Sequence, residues 1–276
     1  MTLSSAFHRI GSALIIPSIF LVIACTSVPI TNRQSFQFVP DSELNGMSLT
    51  EYRKVLNESK LSTNTAEVAR VRRVGNRIAA SAEKFLKEEG LADEIRNYKW
   101  EFNLIEDDKT ANAWVMPGGK AAVYTGILKY TQDDTGLAVV LGHEVAHAIA
   151  GHGNERMSQG LMTQMGAVAL SAALSSQPAA TQDLFMQAYG AGANIGLLLP
   201  YSRLHESEAD RIGLVLMARA GYDPRAAVPF WNRMNASGGA RPPELLSTHP
   251  APSSRIAAIK KDLPEAMPYY RPGTAN

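Results

Sequence analysis

The stretch from Thr135 to Ala150 most constrains how this 276-residue chain can fold. It contains no proline, and Glu144 is its only charged residue. As a helix it would present one apolar stripe to a core, formed by Leu137, Leu141, Val145, Ala148 and Ile149. A glutamate is costly to bury in such a helix unless it has a partner or a function. The sequence therefore predicts a central helix whose other face carries a polar site.

Within this helix, His143, Glu144 and His147 form the pattern H-E-x-x-H. Residues four apart on an α-helix lie about 40° apart around its axis, so both imidazoles project from one face. Two such nitrogens can bind one Zn²⁺. Glu144 lies roughly 100° around from His143, which suits a base that accepts a proton from an activated water. The pattern predicts a metal site, and the alternative is a helix whose histidines only form hydrogen bonds in the core.

A third histidine in this region, His152, follows His143 by nine residues. If the helix continues, His152 lies about 180° from His143 on the opposite face. We therefore expect it to have a structural role, or to lie near the helix end where a cation suits the helix dipole, and not to be a ligand. A third ligand must then come from another part of the chain.

The candidates for the third ligand lie in a second predicted helix, which Gly221 ends. Glu206 and Asp210 are four residues apart and share one face, whereas Glu208 is about 200° from Glu206 and points away. One carboxylate can bind the metal while the other accepts the free ring N–H of a metal-bound histidine. A solvated acidic helix face is the alternative, and His205 competes chemically as a ligand.

Outside these helices the sequence predicts a small sheet. The segment "YKWEFNLIE" alternates Trp100, Phe102 and Leu104 on one side, as a half-buried strand does. The segment "NAWVMPGGKAAVYTG" reads as two short strands joined by a turn at 117–119. Together with the helical patterns before and after, this predicts an α+β fold that is mostly helical.

The N-terminal region resembles a lipoprotein signal. The uncharged run from Ile10 to Ala24 is shorter than the roughly 20 residues that span a bilayer, and it suits a signal-peptide core. Residues 22–25, "VIAC", resemble a bacterial lipobox, which implies a signal peptide at 1–24 and lipid attached to Cys25. Thr26 follows where an inner-membrane retention aspartate would stand, so the resemblance favours the outer membrane. The alternative is an ordinary signal whose cysteine is incidental.

Composition limits the remaining possibilities. With 27 basic and 26 acidic residues the net charge is +1, and no basic run suggests nucleic acid as a partner. The single cysteine excludes an intrachain disulfide. We expect a lipidated tether at 25–45, a domain at 46–262 and a C-terminal tail at 263–276. The uncharged segments 159–182 and 184–202 favour buried or lid-forming helices over a transmembrane hairpin.

Three motifs together resemble a known family. The segments "NAWVMPGGKAAVYTGIL", "LAVVLGHEVAHAIAGH" and "ESEAD" resemble the HtpX-like and CAAX-prenyl-protease-like zinc metallopeptidases, including their soluble bacterial lipoproteins and the peptidase domain of Oma-type enzymes. The likeness covers about residues 46–262. It implies a gluzincin-type fold with one zinc ion per chain. It also assigns roles to five residues: zinc ligands His143, His147 and Glu206, catalytic base Glu144, and supporting acid Asp210.

The resemblance also suggests a substrate-binding strand and a further histidine. In the family, an edge strand that here begins with Asn112, Ala113 and Trp114 lines the cleft and pairs with an extended substrate. The segment "STHPAPSSRIAAI" resembles a loop in periplasmic relatives whose histidine reaches the zinc. Here that residue is His249, which would silence the resting enzyme as a fourth ligand, stabilise an oxyanion during catalysis, or simply form a turn.

The sequence and the resemblance together predict a membrane-anchored, periplasmic zinc endopeptidase. Its expected partners are protein or peptide substrates of the cell envelope and, through Cys25, a membrane, and its expected role is quality control. The competing prediction is a chaperone-like assembly lipoprotein whose zinc site is plugged or structural.

Overall fold

The computed structural model describes residues 25–193, 199–237, 243–249 and 253–272. The strands are β1 (Cys25–Ser27), β2 (Gln34–Phe36), β3 (Glu101–Ile105), β4 (Ala113–Met116) and β5 (Lys120–Tyr124). The helices are α1 (Asp41–Glu58), α2 (Thr65–Glu88), α3 (Leu128–Thr131), α4 (Asp134–Ile149), α5 (His152–Ala173), α6 (Ala179–Ala193), α7 (Leu199–Arg219), α8 (Ala227–Ala236), α9 (Glu244–Thr248) and α10 (Ser253–Ala266). Short 3₁₀ turns lie at Ala92–Ile95, Thr125–Ile127, Pro224–Ala226 and Met267–Tyr269. The predicted signal peptide, residues 1–24, lies outside the described residues.

Local sequence features explain both ends of helix α2. The Asn64 side chain caps its first turn by accepting a hydrogen bond from the Glu67 backbone N–H at 3.2 Å. After its last turn, Gly90 adopts a φ of +74°, a conformation that glycine tolerates best. Between these ends, an apolar stripe that includes Val71, Val74 and Ile78 is fully buried. Helix α2 is therefore one wall of the core.

The main sheet has the strand order β3-β5-β4. Strand β3 runs parallel to β5, whereas β4 and β5 form an antiparallel hairpin in which Ala113 lies opposite Val123. Gly118 and Gly119 form the hairpin turn, both with positive φ. Strand β4 is at one edge of the sheet and packs against α4. The predicted mostly helical α+β fold is confirmed.

Strand β3 departs from the half-buried pattern expected of it. Phe102 and Leu104 are buried on one face, but Asn103 and Ile105 are buried on the other. The Asn103 amide is tolerated there because it donates a hydrogen bond to the Tyr52 hydroxyl of α1 at 2.8 Å. Helix α1 therefore covers a face that the prediction left open to solvent.

Helices α4 and α7 cross at two glycines and place the site. A Cβ built on Gly213 would lie 3.0 Å from the backbone nitrogen of His143 and from the backbone carbon of Gly142. Larger residues at this crossing would force the helix axes apart. The close approach brings the acidic face of α7, with Glu206 and Asp210, against the histidine face of α4.

Both predicted ends of the domain differ in the structure. Residues 25–36, expected to be part of a tether, form the antiparallel hairpin β1–β2, a second small sheet that contacts α5. Within it Val28 and Ser35 are fully buried. At the other end, α10 and the following turn continue to Tyr269, and Ala266 is buried in the core. Neither end is therefore a free tether or tail over these residues.

The uncharged segments form much of α5 and α6. The alternative of buried helices is wrong for several side chains, because Met162, Met165, Val168, Leu184 and Phe185 are exposed, and the alternative of lid-forming helices stays a prediction. Residues 194–198 of the second segment lie outside the described residues. The two helices contact one another, and the Tyr189 hydroxyl donates to the backbone carbonyl of Thr163 at 3.0 Å. Among the described residues, no helix is long and apolar enough to cross a membrane.

Candidate metal centre

Four side chains converge on one point between α4, α7 and the end of α9. They are His143, His147, Glu206 and His249, and one ligand atom of each lies within 4.8 Å of the others. His143 Nε2 is 3.1 Å from His147 Nε2 and 3.2 Å from His249 Nδ1. Glu206 oxygens lie 3.3 Å from His143 Nε2 and 3.4 Å from His147 Nε2. The structure therefore brings the three predicted ligands together with His249, for which a fourth ligand was one of three predicted roles.

These residues fit a zinc ion. Ligands at about 2.0–2.1 Å in tetrahedral geometry are about 3.3 Å from one another, close to the spacings found here. Three imidazoles and one carboxylate are also a donor set that Zn²⁺ commonly takes. His143, His147 and Glu206 can hold the ion, with His249 Nδ1 at the fourth corner. The prediction of one zinc ion per chain is confirmed.

The protonation of the cluster follows from its neighbours. Burial lowers the pKa of His147 well below its usual value, which favours the neutral ring that a metal requires. Burial and Arg255 also act to lower the pKa of His143, but hydrogen bonds to Asp210 and Glu206 outweigh them and raise it to about 9. Burial alone would raise the pKa of Glu206, yet its histidine partners hold it well below the usual range. Without metal, its two carboxylate partners thus favour a protonated His143, whereas a zinc ligand is a neutral ring.

Asp210 and Arg255 hold His143 from its other side. Asp210 Oδ1 lies 3.1 Å from His143 Nδ1, the position expected of a carboxylate that accepts the free ring N–H. Arg255 donates to both oxygens of Asp210, at 2.6 and 2.8 Å, and Nη1 lies 3.2 Å from Glu206. Its guanidinium stacks over the Trp231 ring, 3.8 Å from the centroid. The sequence analysis did not identify Arg255.

Glu144 lies beside the cluster but takes no part in the convergence. Its side chain is buried, and its Oε1 atom has no hydrogen-bond partner among the described residues. His249 Nε2, an atom of one of the four converging side chains, lies 3.5 Å from Glu144 Oε1. An unsatisfied buried carboxylate oxygen is costly, so its presence next to a metal site points to use in chemistry.

Residues 243–249, which we call the front segment, place His249 in the cluster. Leu245 is buried, and its backbone N–H donates to the Ala111 carbonyl at 3.0 Å. The Asn112 side chain donates to Glu244 at 3.2 Å, and Arg255 donates to the His249 carbonyl at 3.1 Å. The front segment therefore lies across the start of β4.

Of the three residues predicted to bind substrate, Asn112 makes a side-chain contact with the front segment. Asn112 is buried against the front segment through Glu244, and Ala113 is buried at the start of β4. Trp114 packs edge-on against Tyr52, with 6.0 Å between the ring centroids. The structure thus places Asn112 next to the segment that carries His249.

Behind His147 is a set of polar residues that we call the rear cluster; all are buried except Arg33, which is partly exposed. It consists of Arg33, His152, Glu155, His205 and Glu208. Arg33 donates to both oxygens of Glu155, at 2.8 and 2.7 Å, and to Glu208 at 2.8 Å. His205 Nε2 lies 3.0 Å from Glu155, and the His205 ring stacks on the His152 ring with 4.2 Å between centroids. His205 is therefore placed away from the converging ligands.

The charges of the rear cluster are fixed by its contacts. Burial acts to raise the pKa of Glu155, but Arg33, His205 and Ser35 hold it far below its usual range. Burial likewise opposes ionisation of Glu208, but His152, Arg33 and Thr31 lower its pKa to about 2. Both carboxylates are therefore ionised at neutral pH, inside the protein and paired with partners.

The position expected for His152 is wrong. The expectation assumed one continuous helix, but α4 ends at Ile149 and Gly151 adopts a φ of +67°. Helix α5 then starts at His152 in a new direction, and its ring turns back to within 2.8 Å of His147 Nδ1. A glycine two residues after the last apolar position of α4 was the sequence signal for this break.

Comparison with known proteins gives the family. The sequence matches Peptidase family M48 over residues 66–263. Mitochondrial metalloendopeptidase OMA1 of Schizosaccharomyces pombe is 40% identical over 248 residues, which are 87% of this chain and 67% of that protein. The human mitochondrial metalloendopeptidase OMA1 is 31% identical over 245 residues, 87% of this chain and 46% of that protein. The beta-barrel assembly-enhancing protease of Escherichia coli is 30% identical over 173 residues, 60% of this chain and 35% of that protein.

These comparisons correct the predicted location. A lipid-anchored protein of the bacterial outer membrane, facing the periplasm, was expected from residues 22–26. The fission yeast and human relatives are instead mitochondrial proteins. Five residues at a predicted cleavage site are too short a pattern to establish a compartment, so the prediction was wrong.

The comparisons and the geometry agree on the chemistry. The prediction of a zinc metalloendopeptidase is confirmed by the family match, by the metalloendopeptidase relatives and by the cluster that can hold one metal ion. The chain spans between about a third and two thirds of the length of the relatives named above. It belongs to Peptidase family M48.

Proposed function

We propose that this chain cleaves peptide bonds within extended, non-native segments of proteins at a membrane. The observation that carries the proposal is the unsatisfied Glu144 Oε1 beside the converging atoms of His143, His147 and Glu206. A purely structural metal site would have no use for a buried carboxylate in that position.

The proposed roles of the residues follow from their contacts. When bound, zinc supplies Lewis acidity that makes a water more acidic and polarises a carbonyl. Glu144 accepts the proton of the attacking water at Oε1 and passes it to the leaving amine. Asp210 holds His143 through Nδ1, and Arg255 holds Asp210 in turn. The chain thus provides both a base and fixed ligands.

The proposed substrates are extended polypeptides. Strand β4 is at a sheet edge and packs on α4, so an extended segment paired with it would run along the metal site. One relative is named for enhancing β-barrel assembly, which supports membrane proteins in the course of folding as the substrate class. Attachment of lipid to Cys25 is the membrane part of the proposal, and the mass of the N-terminal peptide of the mature chain tests it.

The decisive variant is Glu144→Gln. It removes the base while keeping a side chain of the same size, so we expect zinc content to be unchanged and kcat/KM on casein to fall by about 10²–10⁴-fold. Zinc content measured on the same preparation serves as the control. Cleavage by the variant at the wild-type rate would overturn the assignment of Glu144.

We further propose that the front segment closes the site in the resting protein. A catalytic zinc site normally keeps one position open, yet His249 Nδ1 points into the fourth corner here. Removing this ring in His249→Ala should raise casein cleavage while zinc stays bound. A fall in activity with zinc retained would instead favour a role for His249 in catalysis.

The second candidate function is a chaperone-like protein whose zinc is structural. The same four-residue convergence favours it, because closed four-ligand sites are typical of structural zinc. Under this function, His249→Ala loses zinc or stability and gains no cleavage. Measuring zinc content, melting temperature and casein cleavage of that variant together therefore separates the two functions.

A further inference from the structure

The two histidines of α4 are held in different ways. His143 Nδ1 faces a carboxylate directly, Asp210 at 3.1 Å. His147 Nδ1 instead faces another imidazole, His152 Nδ1 at 2.8 Å, and that ring's Nε2 lies 3.3 Å from Glu208. A metal-binding histidine needs a hydrogen-bond acceptor for its second ring nitrogen. For His147 that acceptor is the His152 ring, which in turn contacts the carboxylate of Glu208.

The hydrogen-bond partners show which atom donates each proton in the series His147–His152–Glu208. The Glu208 carboxylate accepts from the Thr31 hydroxyl at 2.6 Å and from Arg33 Nε at 2.8 Å, so it is ionised and only accepts. His152 Nε2 must therefore carry the proton that points to Glu208. Full burial disfavours a charged His152 ring, and Glu208 is already paired with Arg33, so the ring is neutral and its other nitrogen, Nδ1, is an acceptor.

The consequence reaches the metal site. Only one proton fits between two ring nitrogens at 2.8 Å, and it must sit on His147 Nδ1, since His152 Nδ1 accepts. His147 Nε2 is then left with a free lone pair, and this atom faces His143 and Glu206. At the other end of this hydrogen-bond series, Glu208 is held by Thr31 and Arg33 of the β1–β2 hairpin.

We propose that His152 and Glu208 are positioning residues that fix the tautomer and orientation of His147 for zinc binding. Neither residue touches the substrate. His152 is fully buried and Glu208 almost so, which excludes water as a substitute acceptor at either contact. This inference rests on the proposed zinc ligand set, and the experiment below is read by metal affinity so that the two can fail separately.

Two isosteric variants of the full chain test the proposal. His152→Asn places an amide oxygen near the Nδ1 position and keeps an acceptor for His147, whereas His152→Gln reaches toward Glu208 and removes that acceptor. We expect the zinc dissociation constant, measured by chelator competition, to rise about 10–100-fold in His152→Gln and less than about 3-fold in His152→Asn. The melting temperatures of the metal-free variants show whether both are folded.

The outcomes are distinct. A merely structural His152 would give both variants the same zinc affinity, which would overturn the inference. If wild-type protein itself bound no zinc, the proposed zinc site would fail first. A drop in affinity for His152→Gln alone supports the positioning role, because both variants remove the same ring.

A measurement on the wild-type protein decides the matter if a variant does not fold. In the ¹⁵N-labelled, zinc-loaded chain, we expect His147 to carry its ring proton on Nδ1. That proton should show a scalar coupling across the hydrogen bond to His152 Nδ1. A His147 ring protonated on Nε2, or a proton found on His152 Nδ1, would contradict the assignment.

Discussion

The front and the rear of the zinc site are built by different means. On the front, His249 is held by a short segment that uses one buried leucine, backbone hydrogen bonds and the Asn112–Glu244 contact. On the rear, His147 is backed by two buried, ionised carboxylates that share one partly exposed arginine. A hydrogen bond with one exposed partner, such as Asn112–Glu244, breaks at little cost, whereas separating a buried charge from its partner is expensive.

This difference suggests that the front and the rear of the site have different functions. Changes at the front should alter access to the site and leave zinc in place, while changes at the rear should alter stability and metal affinity. Both sides meet in α7, which carries Glu206 toward the ligands, Asp210 toward the front and Glu208 toward the rear. The predictions below separate these effects.

The largest effect is expected at the rear, in Glu155→Gln. The variant leaves Arg33 and His205 without the carboxylate that both contact. Loss of one partner from a buried ion pair typically costs about 3–5 kcal/mol, and we expect the metal-free protein to lose about 3 kcal/mol of unfolding free energy. Urea denaturation of both proteins in the presence of chelator measures it.

The pH dependence of this effect has a definite sign. The pKa of Glu155 is below its usual 4.5 in the folded protein, so its stabilisation is complete above about pH 4.5 and is lost as the pH falls through the folded value. The difference in unfolding free energy between wild type and Glu155→Gln should therefore narrow only below about pH 4.5.

Glu265→Gln is the matched control, because Glu265 accepts two hydrogen bonds from Arg211 at the surface. It should change stability by less than about 1 kcal/mol. Equal losses in the two variants would refute the contrast.

An intermediate effect is expected where front and rear meet. In Gly213→Ala the new Cβ would lie 3.0 Å from backbone atoms of Gly142 and His143, so α7 must shift away from α4. We expect a loss of about 1–3 kcal/mol and weaker zinc binding, since ligands on both helices move apart. Thermal unfolding and chelator competition measure the two quantities.

Gly46→Ala is the matched control for this crossing. Gly46 is also helical, but its Cβ would meet nothing within 4 Å. The same substitution should therefore stabilise the protein by about 0.5–1 kcal/mol and leave zinc affinity unchanged. If both alanines act alike, the crossing does not set the metal geometry.

The sequence predicted the ligand-bearing helices of the site but missed its rear cluster. The ligand face of α4 was readable because positions four apart share a helix face whatever surrounds them. Helix geometry placed Glu206 and Asp210 on one face of α7, but it left a solvated face and His205 as alternatives, and the family resemblance assigned their roles. Their distance from α4 depends on Gly142 and Gly213, which periodicity does not identify. Local helical geometry thus predicted which residues share a face of each helix but not how the helices cross.

The rear cluster could not be predicted in this way. Its members come from a hairpin with three-residue strands and from two helices, and no periodic pattern connects them. Strands as short as β1 and β2 carry too few residues to show alternation, so their segment read as a tether. The sequence analysis also did not recognise the helix break at Gly151, so it predicted His152 on the wrong face. The missing information was tertiary in each case.

The smallest predicted effect is at the front, in Glu244→Ala. The exposed Glu244 carboxylate accepts one hydrogen bond from Asn112, and losing such a bond costs about 0.5–1.5 kcal/mol. If the front segment closes the resting site, that loss should raise the open population, and hence kcat/KM on casein, by about 2- to 10-fold with zinc affinity unchanged. Glu265→Ala removes an exposed carboxylate that pairs with Arg211 and not with the front segment, so it should leave kcat/KM as it is. A zinc affinity that falls in Glu244→Ala would show that the front segment helps to hold the metal, and the distinction between front and rear would then not hold.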